Sequence, residues 1–133
     1  MDLNEIFGKD NVIIEGTNET PEIVLNKKEG IIKFSGRSLP ENPKNFYDPV
    51  KNWLSGYAEN PAKSTHVTFV FDYFNTASSK MIMEIIDLIK NVEKKNSELT
   101  IDWHYQQDDE DMLEAGEDFA EVTMTTIYFH PYP

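Results

Sequence analysis

The amino-acid sequence predicts an α/β (α+β) fold, a mixed β-sheet with helices packed on it, within a single domain spanning residues 1–133. Two observations predict it. Short apolar and aromatic runs follow one another early in the chain and then alternate with segments of helical period, in the order strand, strand, strand, helix, strand, helix, strand, short helix, strand. Hydrophobic residues make up 39% and aromatics 12% of a 15.4 kDa chain, enough to build a core despite a formal net charge of −12.

The first ten residues show no period and read as a loose arm. "NVIIEG" is a first short strand. "PEIVLN" and "GIIKFSG" flank the Lys27–Gly30 turn and read as a hairpin, in which Ile32 and Phe34 alternate with Lys33 and Ser35 across a dry and a wet face. Phe46, Val50, Trp53, Leu54 and Tyr57 have the three-and-four spacing of an amphipathic helix, starting near Pro43, where a missing N–H costs nothing, and ending near Ala58, with Pro49 as a kink candidate. "THVTFVFDYF" has the β-branched and aromatic content of a central, largely buried strand. Met81, Ile82, Ile85, Ile86, Ile89 and Val92 form one stripe and give the clearest helix in the chain. "ELTIDWHYQ" is a further strand, "DDEDMLEAGEDFA" a short acidic helix or helix-like loop, and "VTMTTIYFH" a last strand whose "HPYP" tail is expected to stop the ladder.

Composition narrows the function. Twenty-four acidic against 12 basic residues repel a phosphate backbone, so nucleic acid is not expected as a partner. No segment approaches the roughly 18 apolar residues of a membrane span and no signal peptide opens the chain, so a cytoplasmic protein without membrane contact is expected. There is no cysteine, and the GxGxxG, Walker, GxSxG and HExxH patterns are missing. His66, His104 and His130 lack paired spacing and read as structural or surface imidazoles rather than metal ligands. The acidic residues from Asp108 to Asp118 lack the alternation and glycine of a calcium loop and read as a solvated helix face. Neither a metal nor a cofactor is expected.

The unusual feature is "FDYFNTASSK", in which Asn75, Thr76, Ser78 and Ser79 crowd the junction between a buried strand and a buried helix. One of them, Asn75 or Thr76, is needed to cap the helix. The others suit a phosphoacceptor on Thr76, Ser78 or Ser79, because a phosphoryl group there meets the free N–H groups and positive dipole end of the helix, with Lys80 close by. Asp72 is placed to polarise the Thr76 hydroxyl or to serve as a turn acceptor.

"GRSLPENP", "DYFNTASSK" and "WHYQQDDEDMLEAGED" together resemble the hallmark segments of the SiaC-type regulatory phosphoproteins, over a span from about Thr20 to Tyr128. The resemblance implies a fold like the STAS domain of anti-sigma-factor antagonists. It implies phosphorylation of Thr76 by a partner kinase, removal of the phosphate by a PP2C-type phosphatase, and a non-enzymatic role in which the unphosphorylated form binds and activates a diguanylate cyclase in cyclic di-GMP and biofilm control. Ala77 stands where the family often has serine. Asp72, Asn75, Ser78, Ser79 and Lys80, with Arg37 and Glu41 from "GRSLPENP", are the expected partner-binding residues. Two further readings stand beside this one: a small enzyme or ligand-binding protein using Asp72, Thr76 and His104, and a plain interaction module in which Thr76 is only a helix cap.

Overall fold

Six strands form one sheet whose spatial order is their chain order: β1 Asn11–Ile14, β2 Glu22–Asn26, β3 Ile31–Ser38, β4 Ser64–Phe74, β5 Glu98–Gln106 and β6 Tyr128–Tyr132. The structure, a computed structural model, describes residues 3–133. The β1–β2 and β2–β3 pairs are antiparallel, whereas β3–β4, β4–β5 and β5–β6 are parallel. A parallel pair cannot be closed by a tight turn, so helices α2 (Pro43–Glu59), α3 (Thr76–Ile89) and α4 (Glu110–Thr123) occupy the three crossovers. Crossovers of one hand between strands that advance in one direction put all of these helices on the same face.

The sheet is therefore two-faced. Ile23, Leu25, Ile32, Phe34, Val67, Phe69, Ile101 and Trp103 are buried beneath the helices. The opposite face carries His66 and Tyr128 in solvent, and Ile13 there is 75% exposed. This corrects the reading of "THVTFVFDYF": β4 is central, but it is buried on one side, where Thr65, Val67, Phe69 and Phe71 alternate inward, and Ser64 and His66 stay outside.

Local chemistry sets the helix starts. Asn42 caps α2 by accepting the Asn45 N–H at 3.2 Å, with Pro43 in the first turn, and the helix continues through the buried Pro49. Two tyrosines stitch α2 to the sheet at its two ends. Tyr47 meets Ser38 of β3, and Tyr57 lies 2.8 Å from Thr65 Oγ1, itself 2.7 Å from Ser97 Oγ. In α3 the predicted stripe buries Ile82, Ile85, Ile86 and Ile89, and a 3₁₀ turn over Lys90–Lys95 adds Val92 before Asn96 ends it at φ 63°.

Three expectations need correction. The supposed loose arm contains a short helix, α1 (Leu3–Phe7), because Phe7 is buried in the core; Met1 and Asp2 lie outside the described residues. The acidic segment is a full helix of 14 residues capped by Asp109, since Met112, Gly116, Phe119 and Thr123 recur at helical spacing and are buried. The last strand starts at Tyr128 rather than Val122, and it continues through Pro131, with Gln107 N–H donating to the Tyr132 carbonyl at 2.9 Å. β6 is an edge strand, where the missing proline N–H removes no ladder bond if it faces outward.

The α4 crossover is tight. A Cβ on Gly116 would lie 2.7 Å from Trp103 Nε1 and 2.8 Å from Phe129 Cε1. Gly116→Ala is expected to cost about 1–3 kcal/mol in urea unfolding by overpacking this contact, while Glu117→Ala, at the exposed neighbour, stays within about 0.5 kcal/mol.

Candidate functional site

The site is built where β3 and β4 end side by side. Gly36 opposes Phe71, and the next pair along is Arg37 with Tyr73, so Asp72 is an extra residue in β4. Gly36 takes φ +99° at this slip, a conformation that favours glycine. The slip turns both Asp72 and Tyr73 outward and returns Phe74 to the core side, where its ring packs on Phe71, Trp103 and Phe119 at 5.6–6.3 Å. Asn75 N–H then donates to the Ser38 carbonyl at 3.1 Å, which fixes the start of α3 against the end of β3.

The polar residues of "NTASS" divide their roles within one helical turn. Asn75 is the cap: its Oδ1 accepts the Ser78 N–H at 2.9 Å and its carbonyl accepts the Ser79 N–H at 2.9 Å. Thr76 is the first residue of α3 and exposed, and among the described residues its hydroxyl has no hydrogen-bond partner. Ser78 is fully buried, accepts a hydrogen bond from Ser38 Oγ at 2.9 Å, and ends a chain of three hydroxyls in which Tyr47 Oη lies 2.5 Å from Ser38 Oγ. Because Ser38 spends its one hydroxyl proton on Ser78, Tyr47 is the donor to Ser38. Burial pushes the Tyr47 hydroxyl up to about 12, so it stays protonated and able to donate. Ser79 is half-buried; Lys80 is exposed and stands one turn along α3 from Thr76.

Arg37 lies near the end of β3, opposite Tyr73. Arg37 donates from Nε to the Asn18 carbonyl at 3.0 Å and lies over the Tyr73 ring at 5.4 Å. Glu41 is exposed, just before the Asn42 cap. Asp72, by contrast, faces a cleft of about 410 Å³ with Tyr73, Phe74, Asp109, Asp111, Met112 and Ala115, and this cleft includes neither Thr76 nor His104. His104 sits on the open sheet face and stacks on His130 at 4.8 Å. Asp72, Thr76 and His104 therefore do not share one cavity, and no base is hydrogen-bonded to the Thr76 hydroxyl among the described residues.

The three histidines, unrelated by spacing, converge across the parallel strands. Asp102 accepts from or pairs with His66 Nε2 at 2.5 Å and His130 Nε2 at 2.7 Å. Burial raises the Asp102 carboxyl, but the bonds from His130 and His66 outweigh it and hold the group below its ordinary value. Burial first, and then the charge of His130, lower His104. Among the described residues no group of histidines and carboxylates is arranged to hold a metal ion. Ser38, Tyr47 and the Asp102 pairings escaped the sequence reading because each joins strands or helices through register alone.

The SiaC family of regulatory phosphoproteins matches residues 14–132. An uncharacterized protein of Pseudomonas aeruginosa strain UCBPP-PA14 is 29% identical over 108 residues, covering 81% of this chain and 86% of that one. SiaC of Pseudomonas aeruginosa superposes with a TM-score of 0.78 at 25% identity, covering 93% of this chain and 98% of that one. A chain in the crystal structure of the diguanylate cyclase SiaD in complex with its activator SiaC, also from Pseudomonas aeruginosa, gives 0.82 at 26% identity, covering 91% and 99%.

Two expected outcomes follow from this geometry. In urea unfolding, Asn75→Ala should cost about 0.5–2 kcal/mol as a lost cap, and Ser78→Ala about 1–3 kcal/mol by stranding the Ser38 proton. Thr76→Ala should stay within about 0.5 kcal/mol; a cap-sized loss there would return the capping role to Thr76. For pH, a group held low in the folded state binds its proton more readily in the unfolded chain, so its stabilising effect is complete above the ordinary pKa and is lost on acidification. His104 loses its effect below 6.5 and Asp102 below 3.8. The melting temperature should accordingly fall more steeply from about pH 7 to pH 5 for the natural chain than for His104→Asn.

Proposed function

The chain belongs to the SiaC family of regulatory phosphoproteins, and on that premise we propose that it is a non-enzymatic, cytoplasmic partner-switching module whose phosphoacceptor is Thr76. A partner kinase adds the phosphate and a PP2C-type phosphatase removes it. The unphosphorylated form binds and activates a diguanylate cyclase, as SiaC is the activator of SiaD in the related complex.

The observation that carries this reading is the exposed hydroxyl of Thr76, unpartnered among the described residues, beside a cap that Asn75 supplies on its own. Nothing in the packing needs the Thr76 hydroxyl, yet it stands at a helix N-terminus, where the dipole and the N–H groups not served by Asn75 favour an anion. Lys80, one turn on, is exposed, has no ion pair among the described residues, and is placed to pair with a phosphate. Full burial and the bond from Ser38 argue against Ser78 as the acceptor, and Ser79 is less exposed than Thr76. Asn75, Ser79 and Lys80 lie within about a turn of it at the start of α3 and, with Arg37 and Glu41, are the residues proposed to meet a partner; a dianion on Thr76 would add about 1.5–2 negative charges to a contact built for a neutral hydroxyl. Among the described residues no helix is long and apolar enough to cross a membrane, which fits a site open to soluble partners.

Intact mass of the protein from its native cells, before and after phosphatase treatment, with fragment mapping over residues 71–90, tests the acceptor. A removable phosphate on Thr76 is expected; its absence in every growth condition, together with failure of a co-purifying kinase to modify Thr76, would overturn the reading. In binding to the diguanylate cyclase from the same cells, Thr76→Ala should stay near the natural affinity while Thr76→Asp loses at least about tenfold. Equal affinities for the two variants would remove the switch.

A further inference from the structure

The cleft between the end of β4 and the start of α4 has no part in the Thr76 surface, and its chemistry is distinct. Phe74, Met112 and Ala115 give it an apolar floor, Tyr73 stands at its side 44% exposed, and Asp72, Asp109 and Asp111 supply carboxylates without any lining cation. Asp109 spends Oδ1 on the Met112 N–H as the α4 cap. Asp72 and Asp111 are exposed and form no ion pair among the described residues. Arg37, which touches Tyr73, is drawn toward the Asn18 carbonyl and does not line the cleft. After burial, the charges of Asp72 and Asp109 hold the nearby Tyr132 hydroxyl above its usual value. The floor is also fixed in advance, since Trp103 Nε1 donates to the Met112 carbonyl at 3.1 Å and the Phe74 ring packs on Trp103 and Phe119.

A cleft of about 410 Å³ with carboxylates above an apolar, aromatic-sided floor complements a cation on a long apolar stem. Arginine suits it better than lysine, because a planar guanidinium pairs with carboxylates in fork geometry and stacks on a tyrosine ring. The sign of the charge selects the partner. Phosphate on Thr76, four residues from Asp72, would add negative charge near the cleft and so hold a cation there at least as firmly as before. Such a contact is not one that phosphorylation releases. It suits a protein that must grip the chain while the phosphate is being added.

We propose that this cleft docks an arginine-bearing segment of the kinase that modifies Thr76. The inference rests on the reading of Thr76 as phosphoacceptor, and its test separates the two. Methyl NMR of Met112 and Ala115 in the full chain is followed while the peptide acetyl-Leu-Arg-Leu-amide is titrated in, with the citrulline peptide as control. Shifts are expected with arginine and should fall at least about fivefold with citrulline or in Asp72→Asn/Asp111→Asn, which leaves the Asp109 cap intact. Equal shifts with citrulline, or none with arginine, overturn the cationic pocket. In native cells the same double variant should lose at least about fivefold in Thr76 phosphate by intact mass, while its unphosphorylated form keeps its affinity for the cyclase within about twofold. Undiminished phosphate in the variant overturns the kinase as occupant even if the peptide binds. A natural chain that is never phosphorylated overturns the Thr76 reading and the kinase with it, and leaves the peptide shifts to decide the pocket. Dimerisation of the natural chain that the double variant abolishes would assign the cleft to a second copy instead.

Discussion

The parallel pairing of β3 with β4, with one extra residue slipped into it, is the constraint on which the rest of the molecule depends. Parallel pairing forces a crossover, and α2 fills it, anchored by one tyrosine hydroxyl near each end. The same direction of advance then carries α3 and α4 to the same face and leaves the other face of the sheet to solvent. The slip at Asp72 matters as much as the pairing. Without it Tyr73 would follow Phe71 into the core and Phe74 would point outward, since side chains alternate along a strand.

From that slip the two surfaces of interest diverge. Phe74 turned inward becomes the floor of the cleft, and Asn75 is brought against Ser38 at the start of α3. The Ser38, Tyr47 and Ser78 hydroxyls satisfy one another in the core beneath this junction, so the polar residues that packing requires are used up there. Thr76 is left over. A hydroxyl with no structural duty, on a rigid platform, is suited to modification because changing it need not unfold anything. A buried hydroxyl such as Ser78 has the opposite character: it couples the two strand ends to α2, and its loss is paid in stability.

Charge is arranged unevenly on this frame. The net −12 says only that anionic partners are disfavoured. The fold gathers part of that charge over an apolar cleft and, on the open sheet face, sets the Asp102 carboxylate between His66 and His130.

The sequence by itself determined what depends on near neighbours. The Ile82 to Ile89 stripe, the start of α2 near Pro43, the hairpin about Lys27–Gly30 and the aromatic β4 were all readable, because turns and periodicity involve residues within a turn or two of each other. So was the crowding of hydroxyls at 75–79, though not its division of labour: Asn75, Thr76 and Ser78 lie within four positions, and any of them satisfies the local pattern. Only the tertiary structure decided which caps, which is buried and which is free, because that choice is made by Ser38, 40 positions from Ser78 along the chain. The convergence of His66, Asp102 and His130 and the joining of Asp72 with Asp109 and Asp111 were hidden for the same reason. Each is set by the register of strands or the seating of a helix whose partners are remote in sequence, and no local period records that register.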